Sequence, residues 1–239
     1  MIKEMMNEMS IMSSLNHPNI VKCYGYSFTR DGYPLLIMER AEKSLALSFR
    51  EETLRHVKLT ASMLKERALQ ICGAVKYLHD NHISHGDLSL KNVIVDSDGR
   101  YMLCDFGFAM RIEPDGTLDT DRHCTCTSAA PEYLSSWVRT LSSDVYSLGI
   151  ILLELLLRED AYANTSLKKY ESDGRVNRRS FVRDVLHGFR PTIPGFCPPQ
   201  YAEIIKACLV YDGFNPYTQE TFHRPSIDDV LSMLHAWKV

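Results

Sequence analysis

The first fifteen residues of the chain place apolar side chains at helical spacing. One helix face would carry Ile2, Met5, Met9 and Met12. This periodicity predicts a helix over residues 1–15. The helix must end before Pro18, because proline disfavours a helical conformation for the residue that precedes it.

Two strand-like runs follow this helix, at residues 20–24 and 35–39. Both are rich in aliphatic and aromatic side chains, and they flank Asp31-Gly32, a dipeptide that favours a turn. The pattern predicts two paired antiparallel strands.

The rest of the chain is predicted to be mainly helical. Apolar positions recur at helical spacing over 63–79 and again from Asp144 onward. The longest apolar stretch, 145–157, is interrupted by a serine and a glutamate and is too short to span a bilayer, so it predicts a buried helix. A polar, basic segment near 158–180 interrupts the helical pattern, and we interpret it as a solvated insert.

Composition limits the classes of protein to which this chain can belong. The chain has 239 residues, of which 45% are hydrophobic and 24% charged, the balance of an ordinary globular protein. A net charge of −3 argues against nucleic acid or a membrane as partner. The seven cysteines favour free thiols in a reducing, cytoplasmic compartment. His123-Cys124-Thr125-Cys126 has no second Cys/His pair at zinc-like spacing, so we do not assign it to a metal site.

Three short motifs that bear chemistry follow one another along the chain. They are His85-Gly86-Asp87-Leu88-Ser89-Leu90-Lys91-Asn92, then Asp105-Phe106-Gly107, then Ala130-Pro131-Glu132. Together they resemble the catalytic loop, the metal-binding turn and the end of the activation segment of eukaryotic protein kinases. Thr125 and the pattern at 188–194 resemble the tyrosine-kinase-like group of serine/threonine kinases.

This resemblance implies an α+β fold with a mainly helical large lobe and a truncated small lobe of one helix and two strands. We expect the small lobe at residues 1–40 and the large lobe at 41–239. Within the large lobe we expect the catalytic loop at 85–92, the activation segment at 105–132 and the polar insert near 158–180.

The resemblance also implies the roles of the catalytic residues. Asp87 would orient the acceptor hydroxyl or take its proton, while Asn92 and Asp105 would bind Mg²⁺. Between these two ligands, residues 93–104 are long enough for a hairpin that returns Asp105 to Asn92. Lys91 stands where tyrosine kinases keep an arginine, so we expect it near the transferred phosphoryl group.

The implied cofactor is ATP, and the implied partner is a protein substrate that is modified on serine or threonine. Met38-Glu39-Arg40-Ala41 resembles the segment that binds the adenine base. The backbone around Glu39 and Ala41 would meet adenine beside Met38, and Ile94 would lie under the base.

The chain departs from the family pattern at several positions. No Gly-x-Gly-x-x-Gly precedes the catalytic loop, and the lysine that would pair with Glu8 and hold the phosphates is not found. Gly86 replaces the arginine that usually meets a phosphate on the activation segment, so we do not expect control by phosphorylation there. Ser89 replaces a lysine of the catalytic loop.

These departures leave two interpretations open. The first is a serine/threonine protein kinase, which the presence of Asp87, Asn92 and Asp105 favours. The alternative is a pseudokinase or truncated kinase-like module that binds or scaffolds without phosphoryl transfer. The missing Gly-rich loop, the missing lysine and Ser89 favour the alternative.

Two further expectations concern packing. Glu132 and Arg224 should form a buried ion pair between the end of the activation segment and a late helix. Met5, Met9 and Met12 should be exposed or mobile, because the strands that would cover them are missing.

Overall fold

A computed structural model describes residues 2–121, 124–163, 171–172, 175–176 and 178–239, with backbone only at 2–5, 171–172 and 175–176. The helices are α1 (Ile2–Ser14), α2 (Leu45–Leu54), α3 (Ala61–Asp80), α4 (Pro131–Ser136), α5 (Leu141–Leu157), α6 (Arg178–Leu186), α7 (Pro199–Cys208) and α8 (Ile227–Ala236). The strands are β1 (Cys23–Phe28), β2 (Pro34–Met38), β3 (Lys43–Ser44), β4 (Ile83–Ser84), β5 (Val93–Val95), β6 (Tyr101–Leu103), β7 (Met110–Arg111), β8 (Thr117–Leu118), β9 (Val138–Arg139), β10 (Glu171–Ser172), β11 (Arg175–Val176), β12 (Gly213–Asn215) and β13 (Glu220–Phe222).

The strands form small antiparallel sheets. The largest has the order β3-β5-β6, and the others pair β1 with β2, β4 with β7, β8 with β9, β10 with β11 and β12 with β13. Most of these pairs serve to position loops between helices, so the fold is a helical body with a small α+β region at its N-terminal end.

Helix α5 forms the centre of the helical body. Every residue from Ser143 to Leu156 is buried, and α3 and α7 pack against this helix. A capping box fixes where the helix begins, because the Thr140 hydroxyl accepts the backbone N–H of Ser143 at 3.3 Å. Helix α8 packs against both α3 and α7 and completes the layer.

The sheet β1–β2 exposes apolar side chains although α1 packs against it. Tyr26 and Phe28 are 60% and 61% exposed, and Ile37 is 49% exposed. Among the described strands β2 pairs only with β1, so its second edge leaves backbone donors and acceptors open.

Several predicted elements are confirmed within a few residues. The helix predicted at 63–79 is α3, the second predicted hairpin is β5–β6, and the helix predicted at 1–15 is α1. The first strand, predicted at 20–24, begins only at Cys23. Ile20 is instead buried in a parallel bridge to Leu103, which explains its apolar character without a strand.

The expected exposure of the α1 stripe is wrong for Met12, which is 2% exposed and belongs to the hydrophobic core. The helix packs against β1 and β2, Ile11 is buried beside Met12 in the core, and Met9 is half-buried. The side chain of Met5 lies outside the described residues. The lobe boundary at 40/41 stays a prediction.

The predicted insert near 158–180 is described only in part. Its beginning follows the end of α5 at Leu157, its end falls within α6, and residues 164–170, 173–174 and 177 lie outside the described residues. No helix in the described part of the chain combines the length and the apolar character needed to cross a membrane.

Candidate active site

The side chain of Asp144, in the first turn of α5, binds the backbone at the start of the loop 85–92. Its carboxylate accepts the N–H of His85 at 2.8 Å, the N–H of Gly86 at 3.1 Å and the hydroxyl of Ser84 at 3.0 Å. Burial alone would raise the pKa of this carboxyl, but the hydrogen bond from His79 and the other donors lower it. A buried, ionised aspartate therefore fixes the start of the loop.

The carboxylate of Asp87 is oriented from two sides. Its Oδ1 accepts the backbone N–H of Thr125 at 3.1 Å, and its Oδ2 accepts the side-chain amide of Asn92 at 3.0 Å. The same Asn92 nitrogen also donates to the carbonyl of Asp87 at 2.8 Å. Both hydrogen bonds of the Asn92 side chain use Nδ2. Its Oδ1 accepts no hydrogen bond from the described residues and is available to another ligand.

The hairpin β5–β6 returns the chain to Asn92, as the sequence predicts. The backbone N–H of Cys104 donates to the carbonyl of Asn92 at 2.9 Å, and Asp105 is the next residue. Asp105 has φ of 62°, a left-handed conformation that few side chains other than Asn and Asp adopt easily. The backbone N–H of Gly107 lies 3.4 Å from Asp105 Oδ1.

Helix α1 brings a second carboxylate, that of Glu8, to the same turn. A Cβ added to Gly107 would lie 3.3 Å from Asp105 Oδ1 and 4.0 Å from Glu8 Oε2, so the two carboxylates flank this glycine. Burial, and then the charge of Asp105, raise the pKa of Glu8, and a hydrogen bond from Phe106 N–H opposes them. Among the described residues, no lysine or arginine forms an ion pair with Glu8 or Asp105.

The structure does not bring Lys91 into contact with the other candidate residues. Lys91 lies in a 3-10 turn, Leu90–Asn92, where it is exposed and forms no ion pair with Asp87 or any other described residue. Ser89 is buried and its hydroxyl has no hydrogen-bond partner in the described part of the chain. A role for Lys91 near the phosphoryl group stays a prediction.

The residues predicted to meet adenine lie along the connection between β2 and β3. Met38 ends β2 and is 42% exposed, and Glu39 binds Arg100 at 3.0 Å through its side chain. Ala41 is half-buried and lies two residues before β3. Because β3 pairs with β5, Ser44, at the end of β3, lies opposite Ile94. The contact of these residues with adenine stays a prediction.

Arg139 is a functional candidate that the sequence analysis missed. A Cβ added to Gly86 would lie 1.5 Å from Arg139 Nη1, so the guanidinium occupies the volume of any side chain at that position. Arg139 is buried and donates to the carbonyl of Phe108 at 2.7 Å, to the carboxylate of Asp119, and to the hydroxyl of Tyr133 at 3.0 Å. One arginine thus joins the catalytic loop to two points of the activation segment.

The predicted ion pair between Glu132 and Arg224 is confirmed, but Arg224 lies in the loop between β13 and α8 and not in a helix. Two parallel hydrogen bonds of 2.7 and 3.0 Å join the guanidinium to the carboxylate. Arg224 also donates to the carbonyl of Ser142 at 2.7 Å. Its side chain is fully buried, so the end of the activation segment is fixed to the helical body.

The catalytic loop and the metal-binding turn also contact each other through aromatic rings. The rings of His85 and Phe106 lie 4.8 Å apart, and both residues are completely buried. His85 Nε2 lies 3.1 Å from the carbonyl of Cys104. Burial lowers the pKa of His85, which favours the neutral ring.

The donor set at the mouth of the hairpin suits a hard divalent cation. Mg²⁺ prefers oxygen ligands and retains waters, so one or two protein oxygens plus phosphate oxygens are sufficient. The carboxylate of Asp105 and the unengaged Oδ1 of Asn92 provide such oxygens, and the hydrogen bond from Cys104 N–H to the carbonyl of Asn92 brings the two chain segments together. No group of three or more His, Cys, Asp and Glu that could hold a metal occurs in the described residues.

Comparison with known proteins places this geometry in context. The sequence model of the family described as "Protein kinase domain" matches residues 1–231. A probable serine/threonine-protein kinase of Dictyostelium discoideum, drkB, is 28% identical over 98% of this chain and 31% of its own length. A leaf rust 10 disease-resistance locus receptor-like protein kinase of Arabidopsis thaliana is 26% identical over 98% of this chain and 34% of its own length.

A second probable serine/threonine-protein kinase of Dictyostelium discoideum is 28% identical over 98% of this chain but only 16% of its own length. The chain therefore spans about a third or less of the curated relatives that it matches.

Proposed function

This chain belongs to the protein kinase family, and on that basis we propose that it binds ATP with Mg²⁺ and transfers the γ-phosphoryl group to serine or threonine in proteins. The proposal is supported by two relatives that are described as probable serine/threonine-protein kinases. The observation that supports the proposal best is the Asp87 carboxylate, which is held between Thr125 and Asn92.

Phosphoryl transfer requires positioning more than covalent chemistry from the protein. The acceptor hydroxyl must lie in line with the transferred group and donate its proton to a nearby base. Each oxygen of Asp87 accepts one hydrogen bond from the protein, so each keeps capacity to accept another. Asp87 orients the incoming hydroxyl and accepts its proton.

The phosphate side of the site depends on the oxygens of Asn92 and Asp105. Mg²⁺, when bound, would supply positive charge that offsets the negative charge of the phosphate oxygens. Asn92 Oδ1 and the Asp105 carboxylate would hold the ion, and Asp87 remains available for the hydroxyl. The backbone between Met38 and Ala41 would contact the adenine.

The alternative function is binding without transfer, as in a pseudokinase or a truncated kinase-like module. Its support is the acidic pair Glu8 and Asp105, which has no cationic partner among the described residues, together with Ser89. A cytoplasmic location also stays a prediction, consistent with seven free thiols.

The test measures transfer of radiolabelled phosphate from Mg²⁺-ATP to a generic protein substrate, followed by phosphoamino-acid analysis. Asp87→Asn should lower transfer by at least about 10²-fold while ATP affinity is unchanged, because this residue acts on the acceptor. Asp98→Asn, at an exposed turn, is the matched control. Equal activity of Asp87→Asn and parent would remove Asp87 from its role. Phosphotyrosine as the main product would contradict the serine/threonine assignment, and ATP binding by a parent that transfers nothing would favour the alternative.

A further inference from the structure

A cavity of about 490 Å³ lies between the end of α4 and helix α6. Its apolar part is formed by Leu134, Trp137, Val182 and Leu186. Its polar part is basic and is formed by Arg178, Arg179, Arg183 and His187, with Tyr217 beside them. The cavity therefore combines an apolar interior with a rim of positive charge.

The charge on this rim is not balanced within the described part of the protein. Neither Arg178 nor Arg179 has a carboxylate at ion-pairing distance there, and both are exposed. The side chain of Arg183 is 68% exposed. Its one ion-pair partner among the described residues is the neighbouring Asp184, at 3.2 Å. The first turn of α6 contains no acidic residue. Cations at a helix N-terminus oppose the helix dipole, so this arrangement disfavours the isolated helix and suits an anionic partner.

The basic rim lies next to the acceptor side of the active site. The guanidinium of Arg178 stacks over the ring of Trp137 at 5.9 Å and lies 3.6 Å from Cys124 Sγ. The next residue, Thr125, donates its N–H to Asp87 at 3.1 Å. A hydrogen bond from the Cys124 thiol and the charge of Arg178 lower the pKa of Cys126, against the opposing effect of burial.

We propose that this pocket binds the peptide segment that flanks the acceptor hydroxyl, and that it selects substrates carrying aspartate, glutamate or phosphorylated residues around an apolar side chain. The inference rests on the proposed phosphoryl transfer for its position in the reaction, but the binding site itself does not. Carboxylates of the segment pair with Arg178 and Arg179, and the apolar side chain enters over Trp137. Arginine suits this role because its planar donors match carboxylates and phosphates.

The binding test uses three labelled peptides that share one serine and one leucine and carry aspartates, asparagines or lysines at the same flanking positions. Fluorescence anisotropy with the 239-residue protein should rank the aspartate peptide first. Its advantage should shrink as salt increases. Arg179→Glu should weaken the aspartate peptide on the order of tenfold and favour the lysine peptide. Arg50→Glu, the same charge reversal on the exposed face of α2, should change affinity by less than about twofold.

A second measurement follows the same peptides as substrates of transfer. The aspartate peptide should have the lowest KM, and Arg179→Glu should raise that KM with little change in kcat. Equal affinity for the three peptides would overturn the proposal even if all of them are phosphorylated. Loss of the preference in both Arg179→Glu and Arg50→Glu would reduce it to a general charge effect and would also overturn it. Selective binding that Arg179→Glu abolishes, without any transfer, would uphold the pocket and contradict the kinase activity instead.

Discussion

The two sides of the candidate site differ in how their charged groups are paired. On the acceptor side, the buried charges have partners: Arg139 binds Asp119, and Arg224 binds Glu132 through two hydrogen bonds. On the side of α1 and the sheet β1–β2, Glu8 lies beside Asp105 and no cation of the described residues joins them.

This difference shows which part of the chemistry is preorganised by the described residues. Fixed partners hold the activation segment and Asp87 before any substrate arrives, and such preorganisation is usually the largest electrostatic contribution to catalysis. Two neighbouring carboxylates, in contrast, favour a cation between or near them. Among the described residues, the buried charges of the acceptor side are thus paired, whereas Glu8 and Asp105 have no positively charged partner.

The largest expected effect comes from breaking the acceptor side at Arg224. Arg224→Ala should lower the free energy of unfolding by about 3–5 kcal/mol, because it leaves Glu132 without its partner. Urea denaturation measures this loss. Lys76→Ala removes solvent-exposed pairs with Asp80 and Asp228 and should change stability far less. A loss below about 1 kcal/mol in Arg224→Ala would mean that the pair acts as a surface salt bridge.

A smaller but more local effect is expected at Arg139. Arg139→Ala should lower the free energy of unfolding by about 2–3 kcal/mol. The substitution removes a charge-assisted hydrogen bond to Asp119 and a hydrogen bond to the Phe108 carbonyl. Limited proteolysis should then cleave the activation segment faster.

In the parent, phosphatase treatment should leave this cleavage rate unchanged, because Asp119 provides the anion that a phosphate would otherwise supply.

Gly86 provides the cross-check for Arg139. Gly86→Ala should be destabilising, since its Cβ would overlap the guanidinium and its φ of 81° disfavours a side chain. The same substitution should cost less in the Arg139→Ala background, although the carbonyl oxygen of Phe108, 2.5 Å from the added Cβ, would still clash. Additive effects of the two substitutions would show that Arg139 does not occupy this space in solution.

The features that could be predicted from the sequence are those that depend on local periodicity or on the order of known motifs. The helix over 63–79, the second hairpin and the pair Glu132–Arg224 each follow from periodicity or from short motifs. Arg139 could not be found in this way, because its contact with Gly86 joins positions far apart in the chain. The only sequence signal was Gly86 itself, a glycine where an arginine is expected.

Two failures of prediction have different physical causes. Ile20 is apolar because it packs beside Leu103 and not because it lies in a strand, and composition cannot separate these cases. Met12 was predicted to be exposed, but α1 finds cover against β1 and β2. Exposure depends on tertiary neighbours, which the pattern of a single helix does not specify.

On the phosphate side, Asp105→Asn should reduce the Mg²⁺-dependent part of ATP affinity by at least about tenfold. Asparagine is chosen because it tolerates the φ of 62° at this position. Nucleotide titration with and without Mg²⁺ measures the effect, with Asp98→Asn as control. An unchanged dependence on Mg²⁺ would remove Asp105 from the metal site.

The smallest expected effect concerns Glu8. Because Glu8 has no cationic partner among the described residues, its contribution to stability should depend on pH. The folded pKa of Glu8 is raised above its ordinary value of 4.5, by burial first and then by Asp105. The contribution of Glu8 to the free energy of unfolding is therefore fully present below pH 4.5. It is lost as the pH rises through the folded pKa of Glu8. Glu8→Gln removes this loss and keeps an oxygen for Phe106 N–H.

Glu8→Gln should therefore stabilise the docking of α1 at neutral pH by less than about 1 kcal/mol, because solvent screens a half-exposed group. Amide hydrogen exchange in α1 measures this local effect, with exposed Glu203→Gln as control. The difference from the parent should vanish as the pH falls below 4.5. A larger gain at low pH than at neutral pH would mean that Glu8 has a cationic partner in solution, and the two sides of the site would then be equally complete.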